Sequence, residues 1–130
     1  MIGDVLDAAV EQVATKVMDG MFAVHKKLGP GLLESIYEEA LCLELARRGL
    51  KVVVQKAVPV YYDGVRLKTD LRLDILVDDC VIIEVKSVEG LLPIHKAQLF
   101  TYPRLTNVRL GFLTNFNVEM MRNGFERVIR

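Results

Sequence analysis

Three charged side chains sit where apolar strands leave little room for them. The run Val81-Ile82-Ile83-Glu84-Val85-Lys86 is apolar apart from an acid and a lysine two residues apart. Asp74 lies inside the preceding apolar run, Leu71-Arg72-Leu73-Asp74-Ile75-Leu76-Val77. Strand alternation sends Glu84 and Lys86 to one face, roughly 7 Å apart along the chain. Val81, Ile83 and Val85 take the other face. On the preceding strand Leu71, Leu73, Ile75 and Val77 are expected to form one apolar face, with Asp70, Arg72 and Asp74 opposite. Charges inside apolar strands cost free energy unless something pairs with them. Two carboxylates and an ammonium on one patch can bind a divalent cation and activate a water beside it, which is hydrolase chemistry. The plainer alternative makes Glu84 and Lys86 a solvated pair on an edge strand, and the apolar residues around them argue against it.

The elements that carry these groups follow from the hydrophobic period. Val10, Val13, Val17, Met21, Val24 and Leu28 predict one amphipathic helix ending near Lys27, stopped by Gly29-Pro30-Gly31. A second helix is expected from about Leu32 to Arg48, with Leu33, Ile36, Tyr37, Ala40, Leu41 and Leu45 buried and Gly49 after its last turn. The period then changes to that of strands: Val52 to Gln55, Val58 to Tyr62, a hairpin at Asp63-Gly64 into Val65-Arg66-Leu67, a strand ending near Val77, a turn at Asp78-Asp79, and Cys80 to Lys86. Pro93 opens a helix reaching about Leu105, although Pro103 is expected to end or kink it early. Val108 to Leu113, Val118 to Arg122 and Phe125 to Ile129 complete the strands, the last two joined at Asn123-Gly124. The order ααβββββαβββ predicts a mixed α/β fold with an α+β-like order, a single mixed sheet flanked by helices.

With 130 residues the chain is expected to form a single domain over positions 1–130. A net charge of zero argues against a protein that grips long nucleic acid through phosphate neutralisation, so any such contact must be local. Cys42 and Cys80 are too isolated for a ligand pair and read as reduced thiols of a cytoplasmic protein. The N-terminus, with Asp4, Asp7 and Glu11, does not read as a signal peptide, and no apolar stretch reaches membrane-span length.

An acid on one strand followed by acid-x-lysine on the next resembles the PD-(D/E)XK nuclease superfamily, matched here by Asp74, Glu84 and Lys86. Leu73 stands where the name has proline, a position that carries no chemistry. Gly31, Glu34 and Tyr37, within Leu28-Gly29-Pro30-Gly31-Leu32-Leu33-Glu34-Ser35-Ile36-Tyr37, resemble the motif of the GxxExxY family within that superfamily. Pro93-Ile94-His95 with Gln98 and Tyr102 resembles the family's helix after the lysine strand. The likeness runs from about Val24 to Phe116. It implies a restriction-endonuclease-like core and a Mg²⁺ or Mn²⁺ ion held by Asp74, Glu84, the Val85 carbonyl and Glu34. Lys86 would assist the attacking water on a DNA substrate, with RNA as second choice.

Outside that core the readings are plainer. Glu34 also suits a helix first turn, where the dipole favours an acid. Tyr37 reads as structural, packed on the first helix with its hydroxyl bonded. Gln98, Tyr102 and His95 are candidates for substrate or outer contacts, with exposure the default for His95. His25 is expected to cap the first helix's C-terminus. A second function class keeps the fold without catalysis: a binding or assembly module, forming a homodimer through apolar helix faces, with the acids as a structural network.

Overall fold

The computed structural model describes residues 6–129, the side chains of Phe100, Pro103 and Arg104 excepted. Helix α1 spans Ala8–Leu28, opened by the Asp7 carboxylate accepting from Ala9 N–H at 2.8 Å. It buries Val17, Met21 and Val24 of the expected stripe together with Ala14 and Gly20, whereas Val10 and Val13 are half-buried and Leu28 is exposed. Helix α2, Glu34–Arg47, begins two residues later than expected and buries Tyr37, Leu41 and Leu45, while Leu33 and Ile36, expected on the buried side, are exposed and Ala40 is half-buried. The two helices cross closely at Gly20, where a Cβ would stand 2.7 Å from Leu45 Cδ2. Among the described residues no helix is long and apolar enough to cross a membrane.

Seven strands follow: β1 Val52–Val58, β2 Tyr61–Tyr62, β3 Val65–Arg66, β4 Leu71–Val77, β5 Val81–Lys86, β6 Leu110–Asn115 and β7 Phe125–Ile129, with helix α3, Pro93–Leu105, between β5 and β6. Five form one sheet in the order β1-β4-β5-β6-β7, in which β5 and β6 run parallel and every other pair is antiparallel. Helices α1 and α2 cover one face through Ile75, Val77, Val81, Ile83, Val85, Leu110 and Phe112. On the other face Leu99 of α3 packs with Leu73, Leu76, Ile82 and Leu113. The expected mixed sheet flanked by helices is the fold observed.

Several local expectations need correction. Val52 to Gln55 and Val58 to Tyr62 are not two strands: β1 is one strand to Val58. At Gln55 it takes φ 53°, and the β1–β4 ladder skips from Val54↔Ile75 to Lys56↔Leu73. Tyr61–Tyr62 instead pairs with Val65–Arg66 in a separate hairpin, whose turn residues Asp63 (φ 50°) and Gly64 (φ 79°) both take the left-handed conformation that a tight hairpin needs. The apolar face expected of β4 is divided at the same break: Leu71 and Leu73 pack on the α3 side, Ile75 and Val77 on the α1–α2 side. Finally, positions 118–122 form no strand. Met121–Asn123 is a 3₁₀ turn that drops Met121 into the core, and Gly124 sits so close to β6 that a Cβ there would meet the Asn115 carbonyl at 2.4 Å.

His25 is corrected with that segment. Its Nε2 lies 2.7 Å from the Val118 carbonyl and must donate to it, so the ring ties α1 to the 118–124 segment rather than only capping its own helix. Helix α3 continues to Leu105, so Pro103 does not end it. Cys42 and Cys80 are free and half-buried; burial pushes the Cys42 thiol up to about 11, and burial followed by Asp78 raises Cys80.

Candidate active site

Asp74 and Glu84 come together because β4 and β5 are neighbours. Their ladder pairs Ile75 with Ile83, and one step further outward brings Asp74 beside Glu84. Backbone and side chains lock the pair: Val85 N–H donates to Asp74 Oδ2 at 2.9 Å, and Asp74 N–H donates to Glu84 Oε1 at 3.4 Å. Lys86 Nζ stands 4.0 Å from Glu84 Oε2. An edge-strand pair is ruled out, since β5 is the middle strand of the sheet and Glu84 is only 6% exposed.

A buried carboxylate beside a second one is held in its charged form only with difficulty. Burial first, then the Asp74 charge, push the Glu84 carboxyl from its ordinary 4.5 up to about 7; Lys86 and the Asp74 N–H pull it down, and Glu34 adds a smaller upward push. Val85 presents its peptide groups toward β4, as its N–H bond to Asp74 requires, whereas the Lys86 carbonyl accepts from Phe116 N–H on the β6 side. Among the described residues no three His, Cys, Asp or Glu side chains close into a ready ligand set. Two adjacent carboxylates could nevertheless supply oxygen ligands to a hard divalent cation that keeps several of its waters.

Helix α2 supplies further acid. Glu34 is its first residue and exposed, and its charge reaches both Glu84 and Glu38. The loop before it is clamped by Tyr37, whose hydroxyl donates to the Gly29 carbonyl at 2.5 Å and accepts from Leu32 N–H at 3.1 Å. Its ring stacks on Phe116 at 4.7 Å. Ser87 Oγ donates to the Leu32 carbonyl at 2.6 Å, fastening the same loop to the residue after Lys86. Gly31 takes φ 97°, which disfavours any side chain there. The glycine and tyrosine thus fix where Glu34 begins its helix, and the Tyr37 hydroxyl is committed to that loop.

Tyr102 reaches the site from α3. Burial and then the charges of Glu84 and Asp74 push its hydroxyl up to about 12, so it stays a proton donor near the carboxylates. Gln98, one turn earlier, is exposed, and among the described residues no hydrogen bond joins it to the acids. His95 is half-buried, its Nδ1 accepting from Leu92 N–H at 3.0 Å at the start of α3.

Two residues of the cluster were missed in the sequence. Gln55 Nε2 lies 3.3 and 3.4 Å from the Glu38 carboxylate oxygens and 3.5 Å from Asp74 Oδ1. It bridges the helix acid to the strand acid. Burial first raises Glu38, the Gln55 bond lowers it, and Asp74 and Glu34 raise it again. The i,i+4 spacing of Glu34 and Glu38 on one helix was a usable signal. Gln55 had none, because its placement depends on a positive φ in a non-glycine residue.

Fold and site together place two acids on adjacent strands inside a five-stranded mixed sheet flanked by helices. A family model described as the PD-(D/E)XK nuclease superfamily matches residues 11–128. The chain belongs to that superfamily, which implies a nucleic-acid substrate. No curated protein matches the chain, and no solved structure does.

Proposed function

We propose that residues 1–130 form one nuclease-like domain, of the GxxExxY kind within the superfamily, that hydrolyses phosphodiesters of DNA or RNA with a divalent cation. The observation carrying this reading is the joined pair of half-buried Asp74 and buried Glu84 beside Lys86 on central strands. In support of the narrower family, Gly31 and Tyr37 have separable physical roles in presenting Glu34.

Asp74, Glu84 and the Val85 carbonyl would hold Mg²⁺ or Mn²⁺, with Glu34 reaching it directly or through water. When bound, the ion would lower the pKa of a water and offset charge on the phosphate. Lys86 orients the attacking water and neutralises part of the scissile phosphate's charge. Tyr102, kept protonated, can donate to a phosphate oxygen, and Gln98 and His95 offer outer contacts on the same helix. The zero net charge fits a protein that holds its substrate locally.

Lys86→Met tests the division of roles. Removing a positioned proton-handling group typically costs 10²–10⁴ in rate, so cleavage of labelled oligonucleotides should fall by about a hundredfold or more while Mn²⁺ binding persists. Undiminished turnover in this variant would remove the lysine from the mechanism.

A further inference from the structure

The β2–β3 hairpin has no packing role that explains its composition. Every residue from Tyr61 to Thr69 is exposed, with Tyr61 at 61%, Tyr62 at 69% and Val65 at 64%. Two aromatic rings on a solvated hairpin leave apolar surface that the core does not use. The ladder pairs Tyr61 with Arg66 and Tyr62 with Val65, so the two rings lie on opposite faces of the ribbon.

Charge is concentrated here as well. Lys56, Arg66, Lys68 and Arg72 stand against Asp63 and Asp70 in a chain whose net charge is zero. Arg66 is held by Asp70 at 2.9 Å. The hairpin also connects straight to the carboxylates: β1 and β4 close at Val58↔Leu71, and Leu71 is three residues from Asp74. At about 3.3 Å per residue, the end of β4 from which the chain leads back to the arm lies about 10 Å from that acid.

We propose that the β2–β3 hairpin is a stacking arm for an unpaired nucleic-acid strand, Tyr61 and Tyr62 taking bases while Lys56, Lys68 and Arg72 meet the backbone leading to Asp74 and Glu84. Exposed aromatic faces interleaved with cations suit single strands, whose bases offer open π-faces. Duplex bases are stacked inward, and gripping a duplex by charge alone needs a longer basic surface than this chain carries. The inference rests on the nucleic-acid reading of the site, and it deepens that reading by naming the substrate's form.

The test is fluorescence anisotropy with labelled oligothymidylate and oligouridylate of roughly 16 nucleotides, the upper site size of a single-strand module, and the corresponding duplex. EDTA is present so that nothing is cut. The full chain should bind both single strands more tightly than duplex. Tyr61→Leu with Tyr62→Leu, which keeps apolar bulk without an aromatic face, should weaken binding by about tenfold or more. Tyr61→Phe with Tyr62→Phe should restore it. Absent binding, equal binding of duplex, or leucine variants that bind like the parent would each overturn the arm. So would a loss of binding accompanied by a changed elution mass, which would make the hairpin a contact between copies. Asp74→Ala separates the two readings: it should bind single strands undiminished while losing cleavage. Tyrosine-dependent binding in a protein that never cleaves would reject the nuclease and keep the arm. Cleavage indifferent to the leucine variants would do the reverse.

Discussion

Glu84→Gln is expected to lose phosphodiester hydrolysis by about a thousandfold and to gain stability above neutral pH. The first effect follows from removing one of the two carboxylates proposed to hold the ion: about 4 kcal/mol of transition-state charge stabilisation corresponds to a thousandfold in rate. The second follows from what the buried acid costs the folded protein when no cation is bound. Glu84 titrates at about 7 in the folded chain against an ordinary 4.5. Between those values the folded chain holds a proton that the unfolded chain has released. Its contribution to stability is fully present below pH 4.5 and is lost as pH rises through 7, about 3 kcal/mol in all. Glutamine keeps the shape and cannot ionise, so Glu84→Gln and its parent should melt alike at pH 4, and the variant should melt higher at pH 8 in EDTA. Thermal unfolding at the two values reads this directly. Equal melting at pH 8 would mean that Glu84 carries no such burden. The same proton competes with the cation, so Mn²⁺ affinity should fall as pH drops below 7.

Tyr37→Ala is the second large effect. The ring is fully buried and stacked on Phe116, and the hydroxyl satisfies both Gly29 and Leu32. Truncating a buried aromatic costs about 3–5 kcal/mol, a large share of the 5–15 kcal/mol typical of a folded protein. Tyr37→Phe keeps the stack and strands the two loop groups, for about 1–3 kcal/mol. Urea unfolding should rank parent, Tyr37→Phe and Tyr37→Ala in that order. A phenylalanine variant as stable as the parent would show that the hydroxyl does not hold the loop. Because that loop sets the start of α2, the phenylalanine variant should also lower activity by displacing Glu34.

The acids and lysine of the strands were legible because local alternation alone decides which side chains share a face. Glu84 and Lys86 keep that relation wherever β5 sits in the sheet. The helices were legible for the same reason, Val17, Met21 and Val24 marking one stripe. What local pattern could not give was the effect of a single backbone angle. Gln55 adopts a left-handed conformation that its residue type does not announce. It interrupts the ladder with β4 opposite the point where Leu73 and Ile75 part to different faces, and places its own amide between Glu38 and Asp74. Positions 118–122 misled for another reason: Met121 is needed in the core beneath α1, and that tertiary demand overrides a strand-like composition. The tyrosine hairpin was legible as a turn at Asp63-Gly64, but its isolation from the main sheet was not.

Asp74 and Glu84 are proposed to hold a divalent cation. Calorimetric titration of Mn²⁺ at pH 8 into the parent, Asp74→Ala and Glu84→Ala tests this without a guess about substrate. Binding by the parent that either substitution removes, in chains that remain folded, is the expected result. Binding that survives both substitutions would place the ion elsewhere and contradict it.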